Sequence, residues 1–340
     1  MNRSAPFLVL GIGVAIVSTA SILIRYAQAD GASSALIAAG RLAIAALIMA
    51  PFALSRAGPE LLRIRRKDLL LCAASGLLLA VHFWTWIASL EYTSVANSTV
   101  LVTTNPVWVA LLSAWLLHEK PAKAQLIGVA LTLVGTLLIF AAETSHSSAA
   151  TAPLLGNSLA LTGAIAASGY LLIGRGLRSN LSLLSYVWLT YSFAALGLII
   201  AALLGGERVQ DVSFNAWLLI AALAIGPQLL GHTAWNWALR RLSATFVAVS
   251  ILGEPIGSAL LAWWLLDEGF VAMQLAGFVV LLLGILVAAR AERSQSVEPL
   301  TAARQTPRTK TLTTEDEIPT TKTLTAEDAE DAEENPEPRT

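Results

Sequence analysis

LEYTSVANSTVLVTTNPVWVALLSAWLLHEKPAKAQLIGVALTLVGTL, running from Leu90 to Leu137, is followed 149 residues later by LRRLSATFVAVSILGEPIGSALLAWWLLDEGFVAMQLAGFVVLLLGIL, from Leu239 to Leu286. The two stretches align without a gap. Trp86, just upstream, falls on Trp235, Ser94 on Ser243, Pro106 on Pro255, Glu119 on Glu268 and Gln125 on Gln274, while Gly128 and Gly135 fall on Gly277 and Gly284. Apolar runs that agree by chance share Leu and Ala. They seldom share Pro, Glu, Gln and two Gly in register, so we read a duplicated membrane unit.

Composition narrows the field in the same direction. With 56% apolar and 13% charged residues and a mean hydropathy of +0.67, the 340-residue chain carries more apolar surface than a soluble core absorbs, and the excess lies in runs of about 20 residues. Cys72 is the one cysteine, which excludes a disulfide framework and a thiolate metal site and reads as a small buried side chain. The net charge of -1 hides a split. Residues 1–290 hold sixteen basic and eleven acidic side chains, and the stretch from Ala291 holds six and twelve. That stretch is rich in Thr, Glu, Asp and Pro and repeats TKTLTTEDE (Thr309 to Glu317) as TKTLTAED (Thr321 to Asp328). It lacks the apolar content to fold alone and reads as a disordered acidic tail over 291–340.

Ten spans are expected, near residues 7–24, 34–54, 69–89, 95–117, 124–142, 154–174, 183–204, 214–238, 244–266 and 271–289. The first follows Arg3, but it is too long for a signal-peptide core and has no small-residue cleavage site before Arg25. The basic residues set the orientation. Arg56, Arg63, Arg65, Arg66 and Lys67, then Lys120 and Lys123, Arg175 and Arg178, and Arg240 and Arg241 fall in alternate connections, while the others hold only Arg25 and Arg208. Both termini are therefore expected in the cytoplasm. Five spans per repeat, an odd number, make the repeats inverted: 1–142 and 153–290, with an external linker at 143–152. Two similar halves of opposite orientation can exchange conformations, which moves an opening from one membrane face to the other.

The chain resembles the drug/metabolite transporter superfamily, in particular its EamA-type ten-helix members. The resemblance covers residues 1–290 and rests on ASLEYTSVANS and TNPVWVALLSAWLLHEKPAKAQLIGVALTLVG with the second copy GEPIGSALLAWWLLDEGFVAMQLAGFVVLLLG. It implies a multi-pass bacterial inner-membrane exporter of small metabolites, with cytoplasmic termini and a cavity between the halves. It carries no substrate. Where the family pattern has a Gly-Glu pair after the fourth helix, this chain has His118 before Glu119 and Asp267 before Glu268.

Polar groups inside spans mark candidate sites, because an unpaired charge in hydrocarbon costs several kcal/mol. Glu254 is the sharpest. It lies near mid-depth before Pro255, with Ser243, Ser250 and Ser258 at helical spacing, where it can hold an ammonium, carry a coupling proton or fix a kink. Its counterpart is Asn105 before Pro106. His82 and Trp86 lie one turn apart in the third span, and Gln228, His232 and Trp235 form a stripe in the eighth beside Asn236. His82 and His232 titrate near neutrality in water and join Glu254 as candidates for proton coupling. Tyr170, Trp188 and Tyr191 offer further polar or stacking surface, while Trp84, Trp86 and Trp237 can also be read as interfacial anchors. Arg41 has two readings, a snorkelling side chain or a partner for an acidic side chain or a substrate carboxylate. The glycines spaced by seven read as helix contacts.

No Walker, dinucleotide or HExxH sequence occurs, so no cofactor, metal or nucleic acid is expected, and no nucleophile with its base suggests an enzyme. The expected partners are the bilayer and a small-molecule substrate, with a homodimer through the glycine faces left open. A secondary transporter exporting an amino acid or related metabolite is the leading reading, and a non-transporting receptor or structural protein the alternative.

Overall fold

Hydroxyls and prolines decide where the helices begin and break. The computed structural model describes residues 4–93, 95–116, 122–144, 152–266 and 271–295. The described residues form α1 (Ala5–Val17), α2 (Ala20–Ala29), α3 (Ser34–Leu62), α4 (Arg66–Tyr92), α5 (Val95–Val102), α6 (Asn105–Leu116), α7 (Lys123–Thr144), α8 (Pro153–Leu177), α9 (Leu183–Leu204) and α10 (Phe214–Leu223). A wider π-type segment (Ala224–His232) leads into α11 (Thr233–Ala238), and α12 (Ala244–Ile251), α13 (Glu254–Leu266) and α14 (Ala272–Gln295) follow. No strand occurs among the described residues. Ser33, Ser182, Ser213 and Ser243 cap α3, α9, α10 and α12, each hydroxyl accepting from the amide three residues on.

Seven helical stretches among the described residues are long and apolar enough to cross a bilayer: Ala5–Ala29, Ser34–Leu62, Arg66–Tyr92, Leu154–Leu177, Leu183–Leu204, Phe214–Ala238 and Ala272–Glu292. Leu8, Leu47, Leu203, Phe214, Trp264 and Val279 stand exposed on their outer faces, which suits lipid rather than water. The chain is a multi-pass membrane protein.

Two expected spans are broken rather than continuous. The stretch expected at 95–117 divides at Thr103 and Thr104, and the one at 244–266 at Leu252 and Gly253. In both, helix resumes on the residue before a proline, so Pro106 and Pro255 sit in a first turn, where the missing N–H leaves no bond unmade. The first span also breaks, at Ser18 and Thr19, whose hydroxyls donate back to Val14 O (2.9 Å) and Ile16 O (2.8 Å). Ser243, Ser250 and Ser258 consequently do not share one helical face with Glu254. Ser243 is a cap, Ser250 donates to Phe246 O (2.9 Å) and Ser258 donates across to Ser18 O (2.9 Å).

Packing pairs helices with their own counterparts in the duplication. α3 lies on α9 and α7 on α14, as a twofold relation between the halves demands. The second contact runs over four glycines: a Cβ on Gly135 would lie 2.5 Å from Leu281 N, one on Gly128 2.9 Å from Gly284 O, and one on Gly277 2.8 Å from Gly135 O. The glycine faces therefore meet each other within one chain. Residues 296–340, most of the external linker, and the His118–Glu119 and Asp267–Glu268 pairs lie outside the described residues, whereas 291–295, expected in the tail, continue α14, with Glu292 buried.

Candidate functional site

The broken helices converge with α3, α4, α8 and the π segment around a cavity whose atom-free space, open mouth included, is ≈ 570 Å³. A cavity of that size between helices suits a small organic ligand. Asn105 and Glu254, the first residues of α6 and α13, both line it, as do Val102 and Thr103 at the end of α5 and just beyond it, and Ile251 at the end of α12. Each restart is tied to the opposite half. Ser168 donates to Asn105 O (3.2 Å), and Ser18 donates to Glu254 O (3.3 Å).

Aromatic rings form the wall. Trp86 and His82 stack with centroids 6.0 Å apart, His82 tilts on Phe83 at 4.8 Å, Phe83 meets His232 edge-on at 5.1 Å, and His232 lies 4.3 Å from Trp235. His82 Nδ1 lies 3.0 Å from Gly163 O. Since a carbonyl only accepts, that contact assigns a proton to Nδ1. His232 Nδ1, Trp86 Nε1, Trp235 Nε1 and Asn105 Oδ1 are buried without hydrogen-bond partners among the described residues, so this wall presents unused donors and acceptors.

Arg41 enters the cavity from α3. Its side chain is 0% exposed, so it does not snorkel. The guanidinium lies over the Phe83 ring with its carbon 4.0 Å from the centroid. None of its three nitrogens has a hydrogen-bond partner among the described residues, and Glu254, at the same cavity, is not within ion-pair distance.

The residues singled out in the sequence divide into two sets. His82, Trp86, Asn105, Tyr170, His232, Trp235 and Glu254 line the cavity. Tyr191, Gln228 and Asn236 lie behind it: the Tyr191 hydroxyl donates to Gln228 O (3.2 Å), and the Asn236 amide donates to His232 O (2.8 Å) and to the Tyr170 hydroxyl. Trp188 is half-buried on α9, away from the cavity. Trp84 is exposed, and Trp237 carries the Arg241 guanidinium at 3.7 Å from its centroid. Cys72 is buried and free, and no group of three metal-binding side chains occurs among the described residues.

The model of the EamA-like transporter family matches residues 5–141 and again 154–290. The chain belongs to this family. The family's two matches meet the two copies of the duplication, and they bring membrane transport rather than catalysis. The chain is 25% identical over 202 residues to the uncharacterized transporter YyaM of Bacillus subtilis (strain 168), a match covering 58% of this chain and 66% of YyaM. It is 25% identical over 293 residues to the pseudopaline exporter CntI of Pseudomonas aeruginosa (strain UCBPP-PA14), covering 83% of this chain and 97% of that protein. A protein of known crystal structure superposes with a TM-score of 0.70 over 86% of this chain and 99% of its own, at 21% identity, a likeness of fold.

Proposed function

We propose that this EamA-family chain is a secondary transporter that exports a small metabolite, an amino acid or related compound, by alternating access. The observation that carries the reading is the cavity itself. Opposite charges, Arg41 and Glu254, and unpartnered polar atoms stand around it where helices from both halves are interrupted. Interrupted helices beside a polar site are how a membrane protein presents backbone and charge to a solute without exposing them to lipid. The name of the relative CntI favours export as the direction.

In this reading the chain crosses a bacterial inner membrane ten times, the segments 95–116, 123–144 and 244–266 adding to the seven long spans. Its repeats are inverted, both termini are cytoplasmic, and the acidic stretch 296–340 beyond α14 lies in the cytoplasm. Glu254, His82 and His232 are the titratable groups placed to couple cargo to protons. A second copy of the chain, if one pairs with it, would use a face other than the glycine seam.

Efflux of a labelled metabolite pool from proteoliposomes, with and without an imposed pH gradient, tests the proposal. Saturable flux that Glu254→Gln abolishes is expected. A flux in that variant equal to wild type with an unchanged pH profile would remove the coupling role. No flux of any compound through folded, inserted protein would favour a receptor or structural role.

A further inference from the structure

The charges at the cavity are paired in number but not in contact. Arg41 is wholly enclosed, and all three of its nitrogens lack a partner among the described residues. The face of Phe83 is its nearest compensation. A ring face returns only part of what a guanidinium loses on leaving water, and a planar fork of donors is best satisfied by an oxyanion that accepts two parallel N–H bonds. Glu254 is the opposite case: a buried carboxylate at the same cavity, with no hydrogen bond or ion pair to the carboxylate itself among the described residues. The two groups therefore leave a gap with a cationic end and an anionic end.

Resting on the transport reading above, we infer that Arg41 anchors a carboxylate of the cargo and Glu254 its ammonium. The cargo is a zwitterion whose remaining part lies against the aromatic wall. A compound with both charges completes both ends at once. A simple amine leaves the guanidinium unsatisfied, and a simple carboxylate leaves Glu254 so, which is how a buried polar site rejects a near analogue. The indole N–H groups of Trp86 and Trp235 and the Asn105 oxygen, all without partners among the described residues, are placed to take further polar atoms. The duplication supports one binding orientation. Arg41 falls on Thr190 and Glu254 on Asn105, so each charge occurs once and the cavity is not a symmetric pair of sites.

The test uses the full chain in nanodiscs and reads the rise in melting temperature with ligand concentration. The probes are L-phenylalanine, L-leucine and L-glutamine, each beside its decarboxylated amine and its deaminated acid. Wild type is expected to take at least one of the three amino acids at a concentration about tenfold or more below its amine and its acid. Arg41→Gln should erase the preference over the amine, and Glu254→Gln the preference over the acid. Without ligand, Arg41→Gln should melt no lower than wild type, because it removes an unpaired buried charge; a merely structural arginine would lower the melting point and leave selectivity as it was. The inference is overturned if amines or acids match the amino acids, if Arg41→Gln is destabilised with selectivity intact, or if no amino acid raises the melting point while the metabolite pool still crosses the membrane. Amino-acid binding with the expected selectivity, but no flux of anything, would uphold the site and remove the transport reading instead.

Discussion

At the joint of its broken helix each repeat offers a backbone carbonyl to a hydroxyl from the other repeat's first helix, Asn105 O to Ser168 and Glu254 O to Ser18. The joints are built alike and Trp86 and Trp235 match each other at the cavity, but its charged and amide side chains do not match. The first repeat brings an amide and a guanidinium, Asn105 and Arg41; the second brings a carboxylate, Glu254, and has a threonine where the first has Arg41. α4 runs unbroken, whereas its counterpart is interrupted by the π segment around Pro227. Proline there removes the amide that would bond Leu223 O, and the wider turn absorbs the loss. The duplication has kept what assembles the two halves, and a tryptophan from each at the cavity, while it has diversified the charges there.

The largest break in the comparison should come from the symmetric part. Gly135→Leu would push side-chain carbon into the backbone of Leu281, a clash that no rotamer relieves. With overpacking costing about 1–3 kcal/mol even in yielding cores, the variant should lose most folded protein by size-exclusion chromatography, and Gly277→Leu should match it. Tolerance of either would show that α7 and α14 are not held together as described.

Exchanging the asymmetric pair should spare the fold and damage function. Asn105→Glu with Glu254→Asn should reduce flux by about a hundredfold, or ~2.8 kcal/mol, with a melting point near wild type. Flux at the wild-type level would make the charge's position irrelevant.

The glutamines separate the repeats more gently. Gln125 and Gln274 each accept from an amide three residues back, Ala122 N (2.9 Å) and Val271 N (3.0 Å). Among the described residues Gln125 alone also donates, to Glu292 (2.7 Å) and to Ser243 Oγ (3.2 Å), within a cluster where Glu292 accepts the Ser243 amide and hydroxyl at 2.6 Å each. Gln125→Ala should cost about 2 kcal/mol and Gln274→Ala about 1 kcal/mol in thermal unfolding, since more bonds to a charged group are lost in the first. Equal costs would remove the distinction.

Tyr191→Phe should have the smallest effect. It deletes the hydroxyl bond to Gln228 O in the π segment, and Leu42 at the matching position of the first repeat makes no such bond. A loss of about 0.5–1.5 kcal/mol with flux largely kept is expected. A loss of flux as deep as that of the charge exchange would move Tyr191 from support into the site.

The symmetric features were legible because they leave marks of spacing. Gly128, Gly135, Gly277 and Gly284 recur at seven residues in both copies, whereas Ser243, read as sharing the face of Glu254, proved to be a cap. The breaks were less so: TNP and GEP show that something happens, but a kink and a restart look alike in sequence. Gln228, His232 and Trp235 read as one stripe only if the helix is regular, and the π segment between 224 and 232 changes the phase. Arg41 was hardest to place. A span apolar on every side does not say which way Arg41, the one arginine within 34–54, points. The absence of an acidic residue within a turn of it, among Ile37, Ala38, Ala39, Gly40, Leu42, Ala43, Ile44 and Ala45, was the signal that its partner had to come from elsewhere.

The glycine seam also has a mechanical consequence. Four positions that admit no methyl group make the fifth helix of each repeat an axle joining the halves, so any rocking that opens the cavity has to turn about α7 and α14 rather than separate them. An axle needs no covalent link across it. Two half-length polypeptides, cut within residues 145–151 and made in one cell, should find each other along this seam and restore the whole.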